Sequence, residues 1–128
     1  MPYVHSKAED LDDTDLVGTH QCVVLLQHYA KVPHTSSWTE GRKVHGNASI
    51  AKGTAIATFV NGKYPNRSTG DHAAFYLSQN AGGIWVVDQW KHTTKLKVQR
   101  RYLKSLGKNK DGTFVDPSNN ADALSIIE

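Results

Sequence analysis

The chain has 128 residues, a formal net charge of +3 and an apolar content of 38%. This length accommodates one domain with a real core, and the apolar content excludes a disordered chain, so we predict a single domain over residues 1–128. No segment approaches the length of a membrane-spanning helix, and a single cysteine, Cys22, excludes both an internal disulfide and a thiolate metal site.

Residues 1–18 are predicted to form an acidic N-terminal arm that ends at Gly18. The stretch from Met1 to Ser6 has no basic region followed by an apolar region, so it does not have the pattern of a secretory signal. We therefore expect synthesis in the cytoplasm and, if the protein is exported, a different route. The acidic residues of the arm are Glu9, Asp10, Asp12, Asp13 and Asp15.

A helix from about His20 to Ala30 is predicted next, with Thr19 as its N-cap and Pro33 beyond its end. Cys22 would then be the third helical residue. The free N–H groups and positive dipole end of a first turn lower the pKa of a thiol, which favours a thiolate nucleophile. A lone cysteine on an apolar helix is also compatible with inert packing.

The middle of the chain predicts little regular structure before its first strand. Residues 34–53 indicate a short helical turn near Trp38 and then a loop. The β-branched stretch from Thr54 to Val60 predicts a strand, and Asn61-Gly62 is a strong turn signal. A loop over residues 63–71 follows.

Two strands over residues 72–78 and 84–90 are predicted to form an antiparallel hairpin around a turn at 79–83. A further strand is predicted over residues 96–103, where Val98 and Tyr102 alternate with basic residues, and residues 123–127 are expected to close the sheet. A helix followed by several antiparallel strands predicts an α+β fold, with the N-terminal helix packed on the sheet.

A basic run overlaps the strand predicted at 96–103. Such a run favours contact with a polyanion such as nucleic acid, lipid headgroups or an anionic wall polymer, and it is equally typical of a solvated strand face. Contact with a wall polymer predicts activity that depends on salt concentration. The run consists of Lys91, Lys95, Lys97, Arg100, Arg101 and Lys104.

His72 is the histidine best placed to act as a base for Cys22. It opens a predicted strand directly after the Gly70-Asp71 turn, at a sheet edge that a helix N-terminus can face. No pair of histidines has the close helical spacing of a zinc site, so no metal is predicted. Surface or capping positions account for His20, His28, His34, His45 and His92.

The predicted hairpin supplies a third partner, which would orient the imidazole. In an antiparallel pair, the numbers of facing residues have a constant sum, so pairing Ser78 with Gly82 places His72 opposite Asp88. Any register shifted by two keeps Asp88 on the same side of the sheet as His72, whereas a register shifted by one presents Gln89 instead. Asp88 is therefore the predicted orienting residue and Gln89 the fallback, although Asp88 beside Lys91 is also compatible with an ordinary ion pair at a strand end.

An oxyanion formed during acyl transfer needs donors aimed at it. The backbone N–H of Cys22 at the helix start is well placed to supply one, and Gln21 is a candidate for a second, through its side-chain amide.

These residues resemble the CHAP and NlpC group of papain-like amidases. The resemblance rests on His20-Gln21-Cys22 entering an apolar helix, Gly70-Asp71-His72 opening a strand, and Asp88-Gln89-Trp90 ending the next. In the CHAP branch, a Gln before the nucleophilic Cys, a Gly-x-His strand start and an acidic or amide residue closing the following strand form the active site. The resemblance implies a papain-like fold with Cys22, His72 and Asp88 as catalytic residues and no cofactor.

A narrower resemblance links residues 19–103 to the second family of type VI secretion amidase effectors. It rests on the stretches 37–46, 53–59 and 61–65, which begin with Ser37-Trp38, Gly53-Thr54 and Asn61-Gly62. The resemblance implies a peptidoglycan-degrading toxin that the type VI secretion apparatus delivers into a rival's periplasm, where it cuts the D,D-cross-link between meso-diaminopimelic acid and D-alanine. It also implies a cognate immunity protein. Candidates for substrate binding are Trp38, Tyr64 and Trp90.

Three alternatives stay open at this point. The enzyme could cut the stem peptide at the γ-D-glutamyl bond, the chain could be a non-catalytic module that binds cell wall or nucleic acid, or a transferase of the same fold could pass the acyl group to an amine. The order of Cys22, His72 and Asp88 favours a hydrolase over a binding module. We expect a monomer without nucleic-acid or membrane partners.

Overall fold

The computed structural model describes residues 2–92, 94 and 96–128. Within these residues, six strands form one antiparallel sheet in the order β1-β6-β2-β3-β4-β5. The strands are β1 Glu40–Lys43, β2 Ala55–Thr58, β3 Ala73–Asn80, β4 Gly83–Asp88, β5 Gln99–Lys104 and β6 Leu124–Ile127. The predicted α+β fold, a helix packed on an antiparallel sheet, is confirmed.

The helix α1, Cys22–Ala30, lies against β3 and buries Val23, Leu25 and Leu26. It ends because Lys31 adopts a left-handed conformation with φ 58°, and Pro33 follows. Burial of each of these leucine side chains stabilises the fold by about 1.5–3 kcal/mol. The apolar character that predicted a buried helix therefore fixes α1 to the sheet.

The sheet has an apolar cluster on each face. The face that carries α1 includes Phe75, Val87 and Trp38, and the opposite face includes Tyr76 and Val86. Alternate strand residues point to opposite faces, so Asp88 shares its face with Val86. Asp88, at the end of β4, consequently lies at the rim of the second cluster.

Several expectations need correction. The strand Glu40–Lys43 falls in the predicted loop, because it has no apolar alternation and is held by pairing with β6. The expected C-terminal element of the sheet is present as the strand Leu124–Ile127, which lies between β1 and β2. The short helical turn near Trp38 is confirmed by a 3₁₀ turn at Thr35–Ser37.

The acidic N-terminal segment is packed against the domain and is not a loose arm. A 3₁₀ turn at Ala8–Leu11 buries both of its end residues. Tyr3 accepts a backbone hydrogen bond from Ala55, and Val98 accepts one from Asp13. The segment therefore covers part of the core. Among the described residues, no helix has the length and apolar character needed to cross a membrane.

Candidate active site

The start of α1 is set by a tight turn over residues 17–20. Gly18 has φ +55°, and a Cβ atom at this position would lie 2.4 Å from a methyl group of Val24. His20 has φ 71°, which is incompatible with a helical residue, so Gln21 is the N-cap and Cys22 is the first helical residue. The prediction of Thr19 as N-cap was wrong for this reason.

Gln89 fixes this turn from the end of β4. Its side chain is fully buried, and its Oε1 accepts a hydrogen bond from the Val17 N–H at 2.9 Å. Its Nε2 donates to the carbonyl oxygens of Val17 at 3.1 Å and Gln21 at 2.9 Å. Gln89 therefore positions the helix start, and the fallback assignment of Gln89 as the residue that orients His72 was wrong.

Cys22 is half-buried at the N-terminus of α1. Burial raises the pKa of its thiol, but hydrogen bonds from His72, the Ala73 backbone and Tyr64, together with the charge on His72, outweigh burial and hold the pKa below its ordinary value. The Tyr64 hydroxyl lies 3.8 Å from Sγ. The site therefore favours the thiolate, which is the nucleophilic form.

His72 lies between the thiol and a carboxylate and is itself buried. Its Nε2 is 2.7 Å from Asp88 Oδ2, which leaves Nδ1 as the nitrogen available to the thiol. Burial lowers its pKa, but the hydrogen bonds and charges of Asp88 and Cys22 more than compensate and raise the pKa to about 9. The two shifts together favour a thiolate–imidazolium pair over a thiol beside a neutral imidazole.

Asp88 is fully buried, and burial raises its pKa. The hydrogen bonds and charges of His72 and Arg101 outweigh burial and hold the pKa below its ordinary value. The observed pairs, Phe75 with Val87 and Tyr76 with Val86, place Asp88 level with Ala74 and not with His72. At this end of the hairpin, the observed register differs from the predicted one by two residues. Asp88 therefore stays on the same side of the sheet as His72, and the two side chains are in contact.

The register assumed at the turn was wrong. Ser78 pairs with Trp85 and not with Gly82, because an irregularity between Tyr76 and Ser78 shifts the ladder by one residue. The irregularity lies on the turn side of Tyr76, so it leaves the pairing next to Asp88 unaffected.

Arg101 also belongs to the site, although its place in the sequence predicted only that it is a member of the basic run. Its Nη2 donates to Asp88 Oδ2 at 2.6 Å, and its Nε lies 2.9 Å from the same oxygen and 3.1 Å from Oδ1. Its guanidinium also lies over the Trp90 ring at 4.6 Å. The pairing of Val86 with Arg101 places this side chain on the face of Asp88, and a correct β4–β5 register would have revealed it.

The remaining basic run is not one free cationic face. Lys97 pairs with Asp15 at 2.7 Å, and the guanidinium of Arg100 lies over the Trp85 ring at 4.8 Å. Lys91 and Lys104 are exposed. Lys95 lies outside the described residues. Part of the run therefore serves internal contacts, and Lys91 is its member beside Cys22 in the cleft.

Two adjoining clefts, each of about 410 Å³, open around His72 and Trp90. One reaches Cys22 and the exposed side chain of Gln21, and the other reaches Arg101 and Asn119. Gln21 and Cys22 thus line the same cleft, and the backbone N–H of Cys22 has no carbonyl partner within its own helix.

The three aromatic candidates for substrate binding occupy different positions. Tyr64 and Trp90 line the cleft at Cys22. Trp38 is fully buried, donates from Nε1 to the Pro33 carbonyl at 2.9 Å and packs on Tyr64 with ring centroids 4.8 Å apart. The assignment of Trp38 to direct substrate contact was therefore wrong, because its ring is inaccessible; it supports Tyr64 from behind.

The arrangement places a thiol, an imidazole and a carboxylate together beside an open cleft. A thiolate beside an imidazolium, with a free N–H at a helix start, suits attack on an acyl carbonyl. In the part of the chain that the structure describes, no group of three or more His, Cys, Asp or Glu side chains could hold a metal ion.

Known proteins resemble this chain over nearly its whole length. A family model described as domesticated amidase effector 2 matches residues 5–126. The type VI secretion amidase effector 2 protein of Salmonella typhi is 52% identical over 100% of both chains. Domesticated amidase effector 2 of Ixodes scapularis is 40% identical over 88% of this chain and 73% of its own length.

A solved structure of type 6 secretion amidase effector 2 matches with a TM-score of 0.92 and 52% identity. The match covers 98% of this chain and 94% of the solved one, and the fold is the papain-like fold that the resemblance implied. The sequence and the fold agree, and the chain belongs to the type VI secretion amidase effector 2 family.

Proposed function

We propose that this protein is a peptidoglycan-degrading cysteine amidase that acts as an antibacterial type VI secretion effector. The observation that carries the proposal is the contact of Cys22 with His72 and of His72 with Asp88 at an open cleft. The names of the relatives, which are amidase effectors, support the class of reaction and the mode of delivery.

The first half of the reaction forms a thioester. The Cys22 thiolate attacks the carbonyl carbon of the scissile amide, and the Cys22 backbone N–H stabilises the oxyanion. The imidazolium of His72 donates its proton to the leaving nitrogen as the C–N bond breaks. Asp88 holds the ring in the orientation that this transfer requires.

The second half releases the acyl group. Neutral His72 removes a proton from water, the resulting hydroxide equivalent attacks the thioester carbonyl, and the C–S bond breaks. The products are a carboxylic acid and the Cys22 thiolate, and the proton taken from water remains on His72. The pair thus returns to the thiolate–imidazolium state from which it started.

We assign the scissile bond to the D,D-cross-link between D-alanine and meso-diaminopimelic acid. D-Alanine then supplies the acyl group that is transferred to Cys22, and diaminopimelic acid supplies the leaving amine. The assignment rests on the family to which the chain belongs. Tyr64 and Trp90 are the aromatic groups beside the thiol that would contact the stem peptides.

The effector role implies a defined route and defined partners. The protein would be made in the cytoplasm, passed through the type VI secretion apparatus and released into the periplasm of a target cell. A producer would survive through a cognate immunity protein that closes the cleft. We propose that the chain acts as a monomer, because the groups named above all come from one copy.

Digestion of purified peptidoglycan by the wild-type chain and by Cys22→Ala, followed by separation and mass analysis of muropeptides, tests the proposal. Loss of cross-linked dimers with the wild type alone supports D,D-endopeptidase activity. Cleavage within the stem would keep the amidase and move the bond to the γ-D-glutamyl position. Products that depend on an added amine would indicate a transferase.

Identical muropeptide profiles from the two proteins would refute the catalytic proposal. Retention of wall binding by both proteins, without cleavage, would then identify a binding module. The single cysteine in the chain makes Cys22→Ala a clean variant, because no other thiol can substitute for it.

A further inference from the structure

Arg101 contacts Asp88 and Trp90, two side chains that in turn contact His72. Two of its nitrogens lie on the Asp88 carboxylate, and its Nη2 is 3.5 Å from His72 Nε2. Its Nη1 donates to Asn119 Oδ1 at 2.9 Å, and its plane lies over Trp90. The guanidinium therefore has one defined position, although about a fifth of the side chain, 22%, is exposed.

Asp88 needs this contact for an electrostatic reason. A fully buried carboxylate is strongly destabilised unless opposite charges and donors surround it. His72 can lose its proton during a reaction cycle, whereas a guanidinium stays protonated at any physiological pH. Arg101 thus keeps Asp88 charged even in the part of the cycle in which the imidazole is neutral.

The same contact places a permanent positive charge beside the imidazole. With Cys22 as thiolate and His72 protonated, the site holds two negative and two positive groups, and without Arg101 it would carry a net negative charge. A net negative site retains the imidazolium proton more tightly and disfavours the thiolate.

We propose that Arg101 is a positioning residue for the hydrolysis inferred above: it fixes Asp88 through two nitrogens and, beside His72, keeps the imidazolium proton transferable. The inference rests on the proposed function for its catalytic consequence. It goes beyond Cys22, His72 and Asp88 because it adds a charged positioning residue from β5.

Other charged groups near His72 do not replace this charge. Asp71 is held by Arg67, with Nη2 and Oδ1 2.8 Å apart, and Lys91 is exposed at the mouth of the cleft. Among the described residues, the titratable and charged groups around His72 are Cys22, Tyr64, Arg67, Asp71, Asp88, Lys91 and Arg101.

The test measures the rate at which iodoacetamide alkylates Cys22 as a function of pH. Because the chain has one cysteine, the rate reports this thiol alone and needs no wall substrate. In Arg101→Gln, which removes the charge, the midpoint of thiolate formation should rise by about one pH unit. In the same variant, turnover on cross-linked muropeptides should fall by about 10-fold to 100-fold.

Arg101→Lys separates charge from geometry. A lysine keeps the positive charge, so the alkylation midpoint should stay within about 0.3 pH units of the wild type. A lysine cannot hold Asp88 with a planar pair of nitrogens, however, so kcat should still fall about 10-fold. Arg100→Gln is the matched control, because it makes the same charge change on the other face of β5 and should leave the midpoint unchanged.

An alkylation profile of Arg101→Gln that superimposes on that of the wild type would overturn the inference, as would an equal shift in Arg100→Gln. If Arg101→Gln does not fold, as judged by circular dichroism, Arg101→Lys decides: wild-type kcat in this variant would overturn the positioning role. A wild-type chain that alkylates as expected but cleaves no muropeptide would refute the proposed function and leave the role of Arg101 at the thiol intact.

Discussion

Two His–Asp pairs among the described residues differ in what their imidazoles can do. His72 and Asp88 are 2.7 Å apart, with side-chain exposures of 7% and 0%, whereas His45 and Asp122 are 3.1 Å apart, with exposures of 17% and 25%. Both ring nitrogens of His45 have fixed partners, since Nδ1 faces Asp122 and Nε2 lies 3.0 Å from the Asn80 carbonyl oxygen.

Under the proposed mechanism, the two pairs have different roles although each joins a histidine to an aspartate. His72 keeps one ring nitrogen for a thiol at a helix start and lies beside a cleft. His45 instead ties the loop after β1 to the β3–β4 turn and to Asp122, which also accepts from Ser105 at 2.7 Å. The two histidines therefore differ in the partner of their second ring nitrogen, which is a thiol for His72 and a backbone carbonyl for His45.

The largest expected contrast is between His72→Gln and His45→Gln. The first variant should lower kcat/KM on cross-linked muropeptides by about 10³-fold or more, because the acid–base group is lost. The second should leave kcat/KM within a few-fold of the wild type and lower the free energy of unfolding by about 1 kcal/mol. Steady-state kinetics and urea unfolding measure both, and an equal loss of activity in both variants would break the comparison.

A smaller contrast is expected between Asp88→Asn and Asp122→Asn. In the first variant, the oxygen of the new side-chain amide could still accept from His72, but the charge is lost, so kcat should fall by about 10²-fold. Asp122→Asn should cost about 1–2 kcal/mol of stability through its hydrogen bonds to Ser105 and Gly107, with little effect on kcat. Unchanged kcat in Asp88→Asn would remove Asp88 from the catalytic set.

The pH dependence of activity sharpens the assignment of His72. The active form requires a protonated imidazole and a deprotonated thiol. Activity should therefore fall as pH rises through about 9, where His72 loses its proton, and should fall on the acid side as Cys22, whose pKa is lowered, becomes protonated. A kcat/KM profile with its alkaline limb near the ordinary histidine pKa of 6.5 would contradict this account.

The smallest expected effect concerns salt. Exposed cations of the basic run, such as Lys91 and Lys104, would attract an anionic wall polymer, and salt screens such attraction. Activity on intact sacculi should fall a few-fold from low to high ionic strength. Activity on a soluble muropeptide should change less, because salt screens the buried ion pairs of the site only weakly. Flat activity on sacculi would dismiss a role of the run in substrate binding.

The sequence predicted the parts of the site that depend on local chemistry and on the side of its strand to which each side chain points. Cys22 is the single thiol and lies at a helix start, and His72 and Asp88 share one side of a hairpin. That relation holds under any even shift of register, so it survives the difference between the assumed and the observed pairing.

The sequence could not predict features set by long-range packing. Arg101 belongs to the site because β5 pairs with β4 in one particular register, and no local pattern of residues predicts that register. Gln89 positions the helix start through contacts with residues about 70 positions away in the chain. Trp38 is inaccessible because Tyr64 packs on it.

The most direct test of the central claim is a measurement of the protonation state of His72 by ¹⁵N NMR of the imidazole at pH 7.5, in the wild type and in Cys22→Ser. The account predicts an imidazolium with both nitrogens protonated in the wild type, and a lower pKa in Cys22→Ser, where the thiolate is absent. A neutral His72 ring in the wild type at this pH would contradict the thiolate–imidazolium pair on which the proposed mechanism depends.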